Sequence, residues 1–265
     1  MMSNGVVTSV LQGGLGNVMF QIAVAIGYGL KHNKQISFYK ELYRPSHHGP
    51  IENYFDNILK KLRFEELPTN PYFQHYIEKE FHYTEIPYVD DNMLLEGYFQ
   101  TDKYFSLYRD QIEQFFSFDI DNNKKEILNH KETCSIHVRR GDYLHLQQFH
   151  TVQDLEYYEK AISQFGSDVI FIVISNDIQW CKENFSNERF KDRKFLFITD
   201  NKPEEDFYIA SNCNHNIIAN SSFSWWSAWL NKNRNKKVLA PKNWFGSAYS
   251  DKNTKDIYCK DWIVL

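Results

Sequence analysis

The sequence predicts an α/β protein whose C-terminal half is a parallel, doubly wound sheet. Three observations carry this. Val169-Ile170-Phe171-Ile172-Val173-Ile174 is an unbroken apolar run, as expected of a strand covered by helices on both faces. From Cys134 onward, short apolar runs alternate with amphipathic stretches at the pitch of βα units. The N-terminus carries a strand-like run, a glycine turn and a helical stripe, which is one more βα unit.

In order, residues 6–11 read as a strand and Gly13-Gly14-Leu15-Gly16-Asn17 as a tight turn. Met19, Phe20, Ala23, Ile26, Gly27 and Leu30 then mark one face of a helix. Residues 36–39 read as the next strand. Residues 41–92 are irregular, rich in Pro, Asn and aromatics, with a short helix expected near 54–62. Residues 93–100 read as a strand running into a functional loop, and 103–116 as an amphipathic helix. The polar stretch 119–131, with Asn122-Asn123-Lys124-Lys125 at its centre, divides the chain into expected domains 1–120 and 121–265. Strands are expected at 134–138, 169–174, 194–199, 216–219 and 237–240. The helices between them are expected at 151–165, capped by Thr151, at 177–185, and at 203–213, where Pro203 fits the first turn. A last helix, capped by Ser221 or Ser222, carries Trp225, Trp226 and Trp229.

A hydrophobic fraction of 42% and a charged fraction of 24% are those of a globular protein. The net charge of -4 argues against a general nucleic-acid binder. The 17 Tyr, 21 Phe and 6 Trp suit a carbohydrate cleft as well as a core. Cys134, Cys181, Cys213 and Cys259 form no CxxC pair and no zinc spacing, and Cys134 and Cys213 read as small buried hydrophobes. His47-His48 and His145…His150 are not spaced as metal ligands, so no metal is expected. The N-terminal residues lack the features of a signal peptide, and no apolar stretch reaches the ~18–20 residues that cross a bilayer. A cytoplasmic protein is expected, touching a membrane only through its substrate.

The most informative motif is His137-Val138-Arg139-Arg140-Gly141-Asp142, where a strand hands over to a loop. Arginine presents a planar fork that matches phosphate oxygens in pairs. Two forks at a strand terminus can hold a diphosphate, or one can hold phosphate while the other makes a salt bridge. In an open α/β sheet, ligands sit at the carboxyl ends of strands, so His137, Arg139, Arg140 and Asp142 gather at that edge. His137 reads equally as a buried structural histidine, and Asp142 as a helix cap. Ser175-Asn176-Asp177 and Asp200-Asn201 end the next two strands and also suit helix caps. Asn220-Ser221-Ser222-Phe223-Ser224 combines hydroxyls with free N–H groups at a helix start, an anion site that competes with ordinary capping. Asn17 suits either a sugar hydroxyl or a helix cap. The glycine turn itself is neither a dinucleotide fingerprint nor a Walker loop.

Taken together, these segments resemble the α-1,2-fucosyltransferases of glycosyltransferase family 11. The matching pieces are Gly13 to Gln21, Glu96-Gly97-Tyr98-Phe99-Gln100 with Lys103-Tyr104-Phe105, His137 to Tyr143, and Asn216 to Trp226, in the family's order. Val18 stands where the family usually has Gln, and Ile22 where Tyr is common. The resemblance implies a GT-B-like architecture, two Rossmann-like domains facing across a cleft. It makes 1–120 the acceptor side and 121–265 the GDP-fucose side. It implies inverting, metal-independent transfer of fucose from GDP-fucose to the 2-hydroxyl of a terminal β-galactoside in surface glycan synthesis, with no cofactor. It also implies roles. Arg139 and Arg140, with Asn17 from the other domain, serve the reacting centre. His137 and Asp142 or Asp200 read the guanosine. Asn220, Ser221, Ser222 and Phe223 line the phosphate and fucose pocket, which Gly14 and Gly16 approach. Tyr98 and Gln100 meet the acceptor. The rival readings are a fucosyltransferase of other linkage such as α-1,6, a noncatalytic nucleotide-sugar or carbohydrate-binding protein, and a phosphate-ester hydrolase, for which no nucleophile or metal set is evident.

Overall fold

The computed structural model describes residues 5–46 and 49–265, so the expectations for His47-His48 and for the first four residues lie outside the described residues. The chain divides into two compact α/β units, Met1–Phe118 with Lys252–Cys259, and Asp119–Asp251 with Lys260–Leu265. Segment Lys252–Cys259, which the sequence leaves with the C-terminal half, thus belongs to the first unit. Asp256 is the reason: its carboxylate takes the Tyr83 backbone N–H at 3.1 Å and the Lys103 ammonium at 2.6 Å.

The first unit is built on a four-stranded, all-parallel sheet. Its strands are β1 (Val6–Ser9), β2 (Gln35–Ile36), β3 (Gln74–Ile77) and β4 (Met93–Glu96), in the order β2-β1-β4-β3. Helix α1 (Leu15–His32) follows β1, and its apolar face is fully buried from Val18 to Ala25. The sequence foresees β1, α1 and β4 but not the edge strand β3. The helix expected near 54–62 is instead the single 3-10 turn Ile51–Tyr54 followed by further turns. The helix expected at 103–116 is regular only in α2 (Arg109–Phe115), after two 3-10 turns.

The second unit carries a six-stranded, all-parallel sheet. Its strands are β5 (Thr133–Val138), β6 (Ile170–Ser175), β7 (Lys194–Phe197), β8 (His215–Ile217), β9 (Val238–Ala240) and β10 (Ile263–Val264). They are ordered β7-β6-β5-β8-β9-β10. Counted within the unit this is 3-2-1-4-5-6, the doubly wound order of dinucleotide-binding sheets. Besides the one-turn helix Asn122–Lys125, the helices are α3 (Leu155–Ile162), α4 (Ile178–Phe185), α5 (Pro203–Asn212) and α6 (Ser222–Leu230). Asp154, not Thr151, caps α3, its carboxylate accepting the Tyr157 N–H at 2.9 Å. Cys134, Ile136 and Val138 share one core cluster with α3 and α4, as alternation along β5 requires. Trp225, Trp226 and Trp229 anchor α6 in the core, each such ring stabilising the fold by roughly 2–3 kcal/mol through burial. Strand order reverses between β5 and β8, the switch point outside whose carboxyl ends ligands of doubly wound sheets bind.

Candidate functional site

The switch point of the second unit collects most of the residues the sequence singles out. β5 delivers His137 and the two arginines, while β8 runs through Asn220 into the start of α6. His137 is 8% exposed and its Nδ1 is buried without a hydrogen-bond partner. Burial, reinforced by the Arg139 charge, pushes its pKa down to about 3, so the imidazole is neutral. Its ring lies against Phe223, 5.3 Å between centroids.

The arginines take different partners. Arg139 Nη2 binds both oxygens of Asp142, at 3.0 and 2.9 Å, and its guanidinium lies 5.5 Å from the Tyr143 ring centre. Only one nitrogen of that fork is engaged by the carboxylate, and the side chain remains 25% exposed. Arg140 instead donates from Nε to Asp177 at 3.1 Å and stacks 3.9 Å above Trp180. Its backbone N–H reaches Asn176 Oδ1 at 2.9 Å. The same Asn176 amide donates to Asp142 at 3.4 Å. Gly141 lets this happen, because a Cβ there would collide with the Asn176 amide nitrogen. Arg140 and Asp177 are thus fixed to each other, and Asp177 also caps α4 through the Trp180 N–H.

The start of α6 is uncapped by any side chain, since the Ser221 hydroxyl makes no cap bond. The first-turn N–H groups and the hydroxyls of Ser221 and Ser222 therefore remain available, which favours the anion-site reading over the capping one. Phe223 sits between His137 and Phe207 of α5. Asn220 is 2% exposed, its Oδ1 accepts from Gln153 at 3.1 Å and its Nδ2 donates to the Trp244 carbonyl at 2.8 Å, so its amide also shapes the loop. Asp200 is exposed beyond the edge strand β7, two strands from β5, with a left-handed φ of 61°. Asp206, which the sequence gives only as an acidic residue at a helix start, lies in the first turn of α5 beside Phe207. Burial raises its pKa to about 6, and Asn201 donates to it at 3.2 Å. An ordinary helix-start carboxylate in sequence gives no signal of that burial.

The first unit gathers the remaining candidates at the carboxyl rim of β1 and β4. Gly13, with φ at 84°, makes the turn; Gly14 is the extended residue before α1 and Gly16 lies in its first turn. Asn17 Oδ1 accepts from Gln100 Nε2 at 2.8 Å, joining two candidates from motifs far apart in sequence. Gln21, fully buried, bridges the Gln12 N–H at 2.8 Å and the Gly97 carbonyl at 3.1 Å. Tyr98 is exposed, and its backbone N–H, with that of Phe99, is held by the Glu78 carboxylate at 2.7 and 3.0 Å. Phe99 is fully buried with a left-handed φ of 51°, a conformation those bonds stabilise. Burial raises the Glu78 pKa against the pull of the two N–H groups. Among the described residues, no group of three His, Cys, Asp or Glu side chains is arranged to hold a metal, and no helix is long and apolar enough to cross a membrane.

The model of glycosyl transferase family 11 matches residues 45–265. The Escherichia coli O-antigen biosynthesis glycosyltransferase WbnK is 35% identical over 197 residues, covering 67% of this chain and 62% of WbnK. An Escherichia coli α-1,2-colitosyltransferase is 29% identical over 289 aligned positions, covering 98% of this chain and 99% of that protein. The Bos taurus galactoside α-(1,2)-fucosyltransferase 1 is 36% identical over 104 residues, 36% of this chain and 28% of that enzyme. The matched region is therefore less than two thirds of WbnK and of the mammalian enzyme, and nearly all of the colitosyltransferase. Among solved structures, the α-1,6-fucosyltransferase NodZ from Bradyrhizobium has a TM-score of 0.50 at 12% identity, covering 86% of this chain and 92% of NodZ. That likeness establishes a shared GT-B-like fold.

Proposed function

Because the chain belongs to glycosyl transferase family 11, we propose that it transfers fucose from GDP-fucose to the 2-hydroxyl of a terminal β-galactoside, with inversion and without a metal. The observation that carries this reading is Arg139, half-engaged by Asp142 beside the uncapped start of α6 at the switch point. In this reading the second unit holds the donor and the first unit the acceptor. Negative charge grows on the departing GDP as the fucosyl centre becomes oxocarbenium-like. Arg139 and the first-turn N–H groups of α6, with Ser221 and Ser222, meet that charge. A well-placed donor of this kind lowers a barrier by ~3–4 kcal/mol. Arg140 acts through Asp177 and Asn176, setting the loop that aims Arg139. The neutral His137, with its unpartnered Nδ1, makes a hydrogen bond to the nucleoside rather than to phosphate. A carboxylate accepts two parallel N–H donors, the pattern on one edge of guanine, and Asp206, held by one neutral amide, offers one where Asp142 is bound to Arg139 and Asp200 is remote. Asn17, Gln100 and Tyr98 offer amide and ring contacts to the galactoside. A lipid-linked acceptor would bring the protein to the inner face of the membrane.

A second donor, GDP-colitose, is favoured by one specific comparison, the colitosyltransferase aligned along nearly the whole chain. The test is incubation with GDP-fucose or GDP-colitose and a panel of β-galactosides in EDTA, followed by NMR of the product linkage. An α-1,2-fucoside is the expected product. Colitoside alone would change the donor, a 1,6 linkage would change the regiochemistry, and nucleotide binding without turnover would reduce the protein to a binding module.

A further inference from the structure

On the donor-side rim His137, its pKa down at about 3, is too weak a base for the acceptor hydroxyl, Asp142 and Asp177 are each bound to an arginine, and Asp206 is given to the nucleoside. Glu78 is also spent, with both carboxylate oxygens on the Tyr98 and Phe99 N–H groups. A different constellation lies on the first unit's sheet. His75 of β3 and Leu94 of β4 are register partners, so His75 and Glu96 point to the same face two residues apart. His75 Nε2 meets Glu96 Oε2 at 2.9 Å. The other Glu96 oxygen is held by Arg44 Nη1 at 2.7 Å, and the same nitrogen reaches Gln12 of the glycine turn at 3.4 Å. Among the described residues His75 Nδ1 carries no partner, and the side chain is 39% exposed. A base oriented by a carboxylate, which is itself fixed by a third group, is the arrangement that activates hydroxyls in many unrelated enzymes.

We propose that His75 is the general base for the acceptor hydroxyl, oriented by Glu96 and Arg44. The inference rests on the transferase reading above. As the acceptor oxygen bonds to the anomeric carbon, its proton passes to Nδ1. The bond from that carbon to the β-phosphate oxygen breaks, and its electron pair leaves with GDP. The imidazolium, stabilised by the Glu96 carboxylate, then returns its proton to water from the exposed edge. The charged groups facing His75 are Glu96 from the adjacent strand and, through it, Arg44, which keeps the Glu96 carboxyl below its usual range and therefore ionised.

The test compares the full-length wild type with His75→Gln, His75→Ala and Glu96→Gln, using GDP-fucose and saturating β-galactoside. His75→Gln is expected to lower kcat by about 100-fold or more, the range for general base catalysis, with GDP affinity by calorimetry unchanged. The acidic limb of its kcat–pH profile should vanish. Added imidazole should restore turnover to His75→Ala in a saturable way. In Glu96→Gln the limb should move to lower pH, because the imidazolium loses its carboxylate. A purely structural His75 would move none of these pH readouts. Near-wild-type turnover in His75→Gln, or a limb unmoved in both His75→Gln and Glu96→Gln, overturns the assignment and leaves the donor reading standing. If His75→Gln loses its melting transition, Glu96→Gln decides alone, by the same shift. A wild type that neither binds GDP nor makes a fucoside overturns both.

Discussion

The two parallel sheets end in rims of opposite character. In the first unit most polar groups of the rim satisfy one another, Gln21 with Gln12 and Gly97, Gln100 with Asn17, Glu78 with Tyr98 and Phe99, and the His75 Nδ1 is the exception. In the second, the rim keeps groups in reserve: the His137 Nδ1, the hydroxyls at the start of α6, and part of the Arg139 fork. A rim whose polar groups are largely satisfied suits a ligand recognised by shape and hydroxyls. A rim with unmet donors and one cation is incomplete without an anion. Leaving a buried polar group unpartnered costs about 1–3 kcal/mol, so such a reserve persists where a ligand repays it.

This contrast can be broken by substitution. The largest effect is expected from Arg139→Ala, a loss of several hundred-fold or more in turnover with normal folding, equal to ~3–4 kcal/mol of barrier. Arg139→Lys should fail too, since an ammonium cannot reproduce the fork. A folded Arg139→Ala protein with near-normal steady-state turnover would erase the distinction between the rims. Next comes Gly141→Ala, which drives the Asn176 amide away from Asp142 and the Arg140 N–H. Calorimetry should show GDP affinity falling about tenfold, a loss of ~1.4 kcal/mol. The acceptor KM should hardly change.

Gln21→Leu sharpens the other side. It strands the Gln12 N–H and the Gly97 carbonyl, so urea unfolding should show a loss of about 1–3 kcal/mol. Its kinetic effect should fall on acceptor KM, with GDP affinity retained.

The last effect is on stability and shows only as the pH falls. His137, depressed to about 3, stays unprotonated in the fold while the unfolded chain takes up the proton below its ordinary value near 6.5. It therefore lowers stability as pH falls from about 6.5 toward 3, by at most about 1.4 kcal/mol per pH unit. Asp206, raised to about 6, acts in the opposite sense between about 4 and 6, because there the fold holds the extra proton. Asp206→Asn removes that offset. Thermal melts of this variant should therefore fall more steeply between pH 6 and pH 4 than those of the wild type, and parallel curves would refute the opposition.

The second unit was legible because its strands are long apolar runs and its helices carry clear starts at Asp177 and Pro203. β5, β6 and β8 appear within a residue or two of where the pattern puts them. The first unit was less legible because several of its strands are two residues long, too short for any periodicity, and its edge strand β3 is mostly exposed. The site divides along a related line. Residues adjacent in sequence, such as His137, Arg139 and Asp142, announce themselves. Their partners do not: Asn176 and Asp177 reach Arg140 across 36 and 37 positions, and that distance decides that the two arginines part company. Glu78 and Asp206 look like surface carboxylates until burial raises them.

The return of Lys252–Cys259 to the first unit, followed by Lys260–Leu265 in the second, means the polypeptide passes between the two bodies three times. Neither body is therefore a contiguous gene fragment. Chimaeras that exchange only residues before and after a single junction would sever Asp256 from Lys103, or deprive the other sheet of β10. Exchanging either body with a relative's requires the tail to be inherited with both.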